Sequence, residues 1–82
     1  MYLGKISITL KESVLDPQGS TVHKALSDIG ETNVSDVRIG KYIEVSLNDS
    51  TEDEAMKTLH RICKSLLVNE VVESYKLQLE KK

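Results

Sequence analysis

Residues 34–47 read VSDVRIGKYIEVSL, and the fold turns on how that run is divided. Val37, Ile39, Ile43, Val45 and Leu47 share one phase of a two-residue alternation, the mark of a strand with one buried face. Gly40 and Lys41 interrupt it. In one reading this pair is the tip of a tight hairpin, since a two-residue hairpin loop needs positive φ and glycine supplies it. Strands then cover about 34–39 and 42–48. In the other reading, Gly40 kinks a single continuous strand. The hairpin gives the chain four strands and is the expectation carried forward.

On the N-terminal side, residues 2–10 alternate: Tyr2, Ile6, Ile8 and Leu10 point one way, Lys5, Ser7 and Thr9 the other. The stretch 10–19, LKESVLDPQG, joins this strand to a helix. Asp16 suits the N-cap, where its carboxylate accepts from a free backbone N–H of the first turn. Pro17 suits the first helical position. Gly19 permits close approach of another backbone or marks a second start at Ser20. Val22, Ala25, Leu26 and Ile29 then form one apolar stripe at helical spacing. Gly30 fits the left-handed residue that ends many helices. Val14 and Leu15 stand out as apolar side chains in a connection that should be polar.

On the C-terminal side, residues 48–51 break the strand. Thr51 and Glu54 have the spacing of a capping box. Glu52, Asp53 and Glu54 crowd the positive end of the helix dipole. Ala55, Met56, Leu59, Ile62, Cys63, Leu66 and Leu67 make a wide apolar face, and Asn69 is the expected stop. A last strand over 71–79 has Val71, Tyr75, Leu77 and Leu79 in phase, and 80–82 should fray.

The order is β-α-β-β-α-β. The expected fold is α+β, a two-layer ferredoxin-like (split βαβ) sandwich: a four-stranded antiparallel sheet with two helices on one face. Residues 1–82 form a single domain in this reading. The other sheet face carries Lys5, Ser7, Thr9, Arg38, Tyr42, Glu44, Ser46 and Lys76. Two strand edges are left with only scattered charge to protect them, so a homodimer through an edge or through the open face fits this fold.

Composition narrows the function. The chain has 82 residues, 11 basic and 13 acidic, with no basic run. That argues against a nucleic-acid footprint. Three scattered tyrosines, without Phe or Trp, give no base-stacking platform. No apolar stretch is long enough for a membrane span. The N-terminus lacks a signal-peptide pattern, and the one cysteine cannot make an internal disulfide. A reduced, cytoplasmic setting is expected.

Chemistry is sparse. His60 and Cys63 are three apart on the second helix, but no third ligand has suitable spacing; Cys63 is better read as core. His23 has no nucleophile or orienting acid near it in sequence. Glu52, Asp53 and Glu54 are explained as dipole partners. Lys57, Arg61 and Lys64 read as a solvated ridge. Gly40-Lys41 and Gly19-Ser20 belong to no phosphate-loop frame. No catalytic, cofactor-binding or metal residue is assigned. The residues left over suit a partner interface: Val14 and Leu15 in the first loop, and Arg38, Lys41 and Tyr42 in the second stretch. Exposed Arg and Tyr are frequent interface anchors.

The turn LDPQG after a first strand, a helix containing HKAL, and DVRIGKYIEV together closely resemble the PurS family. This is the small subunit of bacterial and archaeal phosphoribosylformylglycinamidine (FGAM) synthase. The resemblance covers essentially the whole chain; only the tail after Leu79 looks short beside some relatives. It implies the split βαβ fold and a place in de novo purine biosynthesis. The enzyme it implies makes the amidine from formylglycinamide ribonucleotide with ATP, Mg and glutamine. A glutaminase subunit releases ammonia, and a large synthetase subunit receives it. The PurS-like chain bridges the two, assists ammonia transfer, forms dimers, carries no active site and binds no cofactor itself.

Two other functions share the element order. An ACT-like regulatory module would bind a small molecule between two copies, and its ligand would stabilise it. An acylphosphatase-like hydrolase would need an Arg in the first loop, which has Lys11, Glu12 and Asp16 instead.

Overall fold

A computed structural model describes residues 1–82. It contains β1 (Tyr2–Leu10), α1 (Pro17–Asp28), β2 (Gly40–Leu47), α2 (Glu52–Ile62), a π-helical turn (Cys63–Leu67) and β3 (Glu73–Lys81). The sheet has three strands in the order β2-β1-β3, both pairs antiparallel. The expected four-stranded sheet is therefore corrected to three.

The missing strand has a physical cause. A two-residue hairpin at Gly40-Lys41 would need positive φ there, but only Gly30, at φ 95°, takes such a value. Gly40 instead pairs with Thr9 as the first residue of β2. Residues 34–39 stay extended ahead of β2, unpaired with any strand and alongside α1. Two of their backbone groups find side-chain partners there: Ile39 N–H donates to Asp16 Oδ2 at 2.9 Å, and His23 Nε2–H donates to Val34 O at 2.8 Å. Gly19 is needed at the crossing, because a Cβ on it would run into the Val37 carbonyl. The alternative of one continuous run through Gly40 is closer to the structure than the hairpin.

α2 lies across the sheet, chiefly against β1 and β3, and α1 makes no comparable packing on any strand. The expectation of two helices on one face is corrected with the strand count. Directly opposed residues share a face. One face therefore carries Gly4, Ile6 and Ile8 of β1 with Val45, Ile43 and Lys41 of β2 and Leu79, Leu77 and Tyr75 of β3. This is the α2 face: a Cβ on Gly4 would fall 2.5 Å from Leu59 Cδ2. The buried apolar core is small: Ile6, Ile8, Leu47, Ala55, Leu59, Cys63 and Val68. The open face carries Lys5, Ser7 and Thr9 with Tyr42, Glu44, Ser46 and Lys76, as expected except for Arg38, which lies off the sheet. A Lys5–Glu80 ion pair at 2.7 Å crosses it.

Helix starts follow the sequence. Asp16 Oδ1 accepts from Gly19 N–H at 2.9 Å, and Thr51 Oγ1 accepts from Glu54 N–H at 3.2 Å. The end of α2 does not follow it. The π turn closes with Val68 N–H on Cys63 O at 2.9 Å. The inward series Ala55, Leu59, Cys63 therefore steps five residues to Val68, and Leu66 turns out to solvent, 82% exposed. The strand expected from 71 begins at Glu73, leaving Val71 in a turn. The far end of β3 is tied rather than frayed, with Lys82 N–H on Met1 O at 2.9 Å.

The molecule is long for its size, 50 × 27 × 14 Å, with a radius of gyration of 16.2 Å. A compact chain of this length would have about 12 Å. The excess comes from α1 and residues 34–39, which form an arm beyond the sheet.

Candidate functional site

The arm leaves the sheet at the end where β1 finishes and β3 begins. Asp16 organises this junction. Its buried carboxylate takes Gly19 N–H on one oxygen and Ile39 N–H on the other. It thus joins the start of α1 to the root of β2. Those two N–H groups, Gly19 first, hold the Asp16 pKa below its ordinary value, and the Arg38 charge adds to them.

Arg38 fixes the neighbouring loop. Its guanidinium donates to Leu10 O at 2.7 Å and to Lys11 O at 2.9 Å. Lys11 N–H in turn donates to Val72 O at 2.9 Å. The 11–15 loop therefore lies beside the 69–72 turn. Val14, Leu15 and Arg38, with Glu12 and Asp36, line an open depression of about 380 Å³. Leu15 is 78% exposed and Val14 half-buried.

The other two expected interface residues do not join this group. Lys41 lies on the α2 face, with Nζ 3.4 Å from Glu73 Oε2. The Asn69 N–H first, and then Lys41, lower the Glu73 pKa. Tyr42 lies on the open face, and its O–H donates to Glu44 Oε2 at 3.0 Å. Desolvation, followed by the Glu44 carboxylate, raises its pKa. The five residues divide into a cluster of three at the sheet end and one residue on each face of β2.

Sequence reasoning missed Leu66 and Val71, both more than four-fifths exposed at the same end. Helical spacing had placed Leu66 in the core, and alternation had placed Val71 in a strand. Their signal was apolar character just before a turn, the same signal that singled out Leu15. With Leu15 they leave three large apolar side chains exposed toward the same end of the sheet.

The remaining chemistry-bearing side chains are engaged elsewhere. Cys63 is fully buried in the core, which pushes its thiol pKa up. His60 pairs with Tyr75, Nδ1 and Oη lying 3.1 Å apart, rather than with Cys63. No three His, Cys, Asp or Glu side chains are grouped to hold a metal ion, and no helix is long and apolar enough to cross a membrane.

These features define a small, elongated α+β protein with a thin core and apolar groups displayed at one end. The family model described as PurS, phosphoribosylformylglycinamidine (FGAM) synthase, matches residues 4–81. The chain is 45% identical to the Bacillus subtilis FGAM synthase subunit PurS over 80 residues, 98% of this chain and 94% of that one. The crystal structure of Methanocaldococcus jannaschii PurS superposes with a TM-score of 0.90 at 34% identity, covering 100% and 99% of the two chains. A chain of the Thermotoga maritima PurLQS structure superposes with a TM-score of 0.83 at 31% identity, covering 96% and 99%. The chain belongs to the PurS family.

Proposed function

We propose that this chain is the non-catalytic small subunit of FGAM synthase in purine biosynthesis, where it bridges the glutaminase and synthetase subunits and assists ammonia transfer. The whole-chain likeness to the PurS chain of the T. maritima PurLQS structure carries this reading. Leu15, Leu66 and Val71 support it, since large apolar side chains held in water toward one end of a sheet are what a docking surface presents. Val14, Arg38, Lys41 and Tyr42 extend the surface to the loop and the two faces of β2.

The physical need for such a subunit is clear. Ammonia released into water is protonated, loses its nucleophilicity and diffuses away. A chain that orders the contact between two active sites keeps water out of the path. It needs surface area and a fixed shape. ATP, Mg and glutamine belong to the other subunits, and this chain takes no cofactor. It works in the cytoplasm and as a pair of copies, since a core this small gains from further burial.

Reconstitution tests the proposal. Purified glutaminase and synthetase subunits are assayed with glutamine or with ammonium as nitrogen source, with and without this chain. Omission should abolish the glutamine-driven rate and spare the ammonia-driven one. An unchanged glutamine-driven rate would refute the bridging role.

A further inference from the structure

Leu15 and Val71, both exposed, are carried by a loop and a turn with no helix or strand to hold them. Such segments are mobile unless tied down. Here the tie starts at Glu73, the first residue of β3. Its side chain is only 15% exposed, which for a carboxylate calls for partners.

Both oxygens have one. Oε1 accepts from Asn69 N–H at 2.8 Å, and the Glu73 N–H returns a bond to Asn69 O at 2.7 Å. These reciprocal bonds close the turn. Inside it, Val72 N–H donates to Asn69 O at 3.1 Å and Val71 N–H to Asn69 Oδ1 at 3.2 Å. Oε2 lies 3.4 Å from Lys41 Nζ. That ion pair spans β1 and ties the turn to β2.

The turn then holds the loop. Lys11 N–H donates to Val72 O at 2.9 Å, and Lys11 O accepts from Val14 N–H at 2.9 Å and from Arg38 at 2.9 Å. An unbroken series of bonds thus runs from Lys41 through Glu73, Asn69 and Val72 to Lys11 and Val14, next to Leu15. We propose that Glu73 is a positioning residue for docking: through Asn69 N–H it fixes the 69–72 turn, and so sets Val71 and Leu15 in one fixed relation for the neighbouring subunits. This rests on the bridging role given above.

The chemistry suits that task. A carboxylate holds an N–H more tightly than a neutral acceptor does. The Asn69 N–H first, and Lys41 after it, lower the Glu73 pKa and keep the group ionised. A surface shaped before contact loses less freedom on binding. With both oxygens engaged, Glu73 acts through Val71 and Leu15 and has no need to touch a partner itself.

The test titrates the chain into fixed amounts of the glutaminase and synthetase subunits and reads the glutamine-driven rate. Glu73→Ala should raise the chain concentration for half the maximal rate about tenfold, and enough of it should restore the full rate. The Glu73→Gln side chain keeps an oxygen for Asn69 N–H but gives up the ion pair with Lys41, so it should lie closer to the parent than to Glu73→Ala. On the free chain, the Asn69, Val72 and Lys11 amides should exchange about tenfold faster in Glu73→Ala, while Ile6 and Ile8 keep their protection. If Ile6 and Ile8 also lose protection, Asn69→Ala, which removes the acceptor of Val71 N–H, must raise the half-maximal concentration in the same way for the proposal to stand. A Glu73→Ala chain that matches the parent in the titration would overturn the proposal and leave the bridging role standing. So would a Glu73→Gln chain as impaired as Glu73→Ala. A parent chain that fails to raise the glutamine-driven rate would overturn both.

Discussion

Replacing Gly4 and Leu59 together should cost less stability than the separate changes predict. Leu59 is fully buried over Gly4, and an added Cβ at Gly4 would sit 2.5 Å from one Leu59 methyl and 2.7 Å from the other. Gly4→Ala alone should therefore overpack the core and destabilise by about 1–3 kcal/mol. Leu59→Ala alone opens a cavity and should cost about 3–5 kcal/mol. In the double variant the new methyl enters the space the leucine vacated, so the clash is relieved and part of the cavity filled. The coupling should be at least 1 kcal/mol in the favourable sense, within the usual range for residues in contact. Urea denaturation followed by circular dichroism, at one protein concentration for all four chains, measures it. For a domain of this size each kcal/mol also moves Tm by about 4–8 °C, so the effect is visible by heating. Strictly additive losses would show that α2 does not cross β1 at Gly4, and the placement of α2 on the sheet would have to be abandoned.

Acid should loosen the arm before the sheet. The Asp16 pKa is lowered on folding, so its contribution is complete above the ordinary aspartate value of 3.8 and is lost as pH falls through the lowered folded value. Amide exchange of Gly19 and Ile39 should accelerate in that window, and Asp16→Ala should remove their protection at neutral pH; retained protection in the variant would disprove the junction. Leu15→Asp, at a side chain already 78% exposed, should change stability by no more than about 0.5 kcal/mol yet weaken assembly with the other subunits, read by co-elution. Arg38→Glu should also weaken assembly, because the 11–15 loop loses its brace. Cys63, fully buried with a raised pKa, should react with a thiol reagent only at the rate of unfolding; rapid reaction in native buffer would contradict its burial.

Local signals in the sequence were reliable wherever the physics was local. Asp16, Pro17 and Thr51 specify helix starts by short-range hydrogen bonding, and they stand where expected. Strand phases were legible because a one-residue slip would have turned Ile6 or Leu77 out of the core. The fourth strand was not legible. Residues 34–39 carry the same alternation whether they fold back at Gly40 or run straight on. The choice is made by Asp16, which takes the Ile39 N–H from 23 positions away. Leu66 was misplaced for a similar reason: the π turn shifts the helical phase by one residue, and no composition rule marks where that occurs. At the candidate site, alternation put Tyr42 on the open face, but Lys41, expected at a hairpin tip, lies within β2 on the α2 face. The nearness of the 11–15 loop to the 69–72 turn depends on the Lys11–Val72 bond, which links distant parts of the chain.

The carboxylate of Asp16 is a fulcrum. It is fixed where the arm meets the sheet, and α1 extends about 18 Å beyond it. A tilt of about 10° at that point would carry the helix tip by about 3 Å without disturbing a single strand pairing. A rigid plate with a short lever can meet neighbours whose spacing differs slightly while its own hydrogen-bond ladder stays intact.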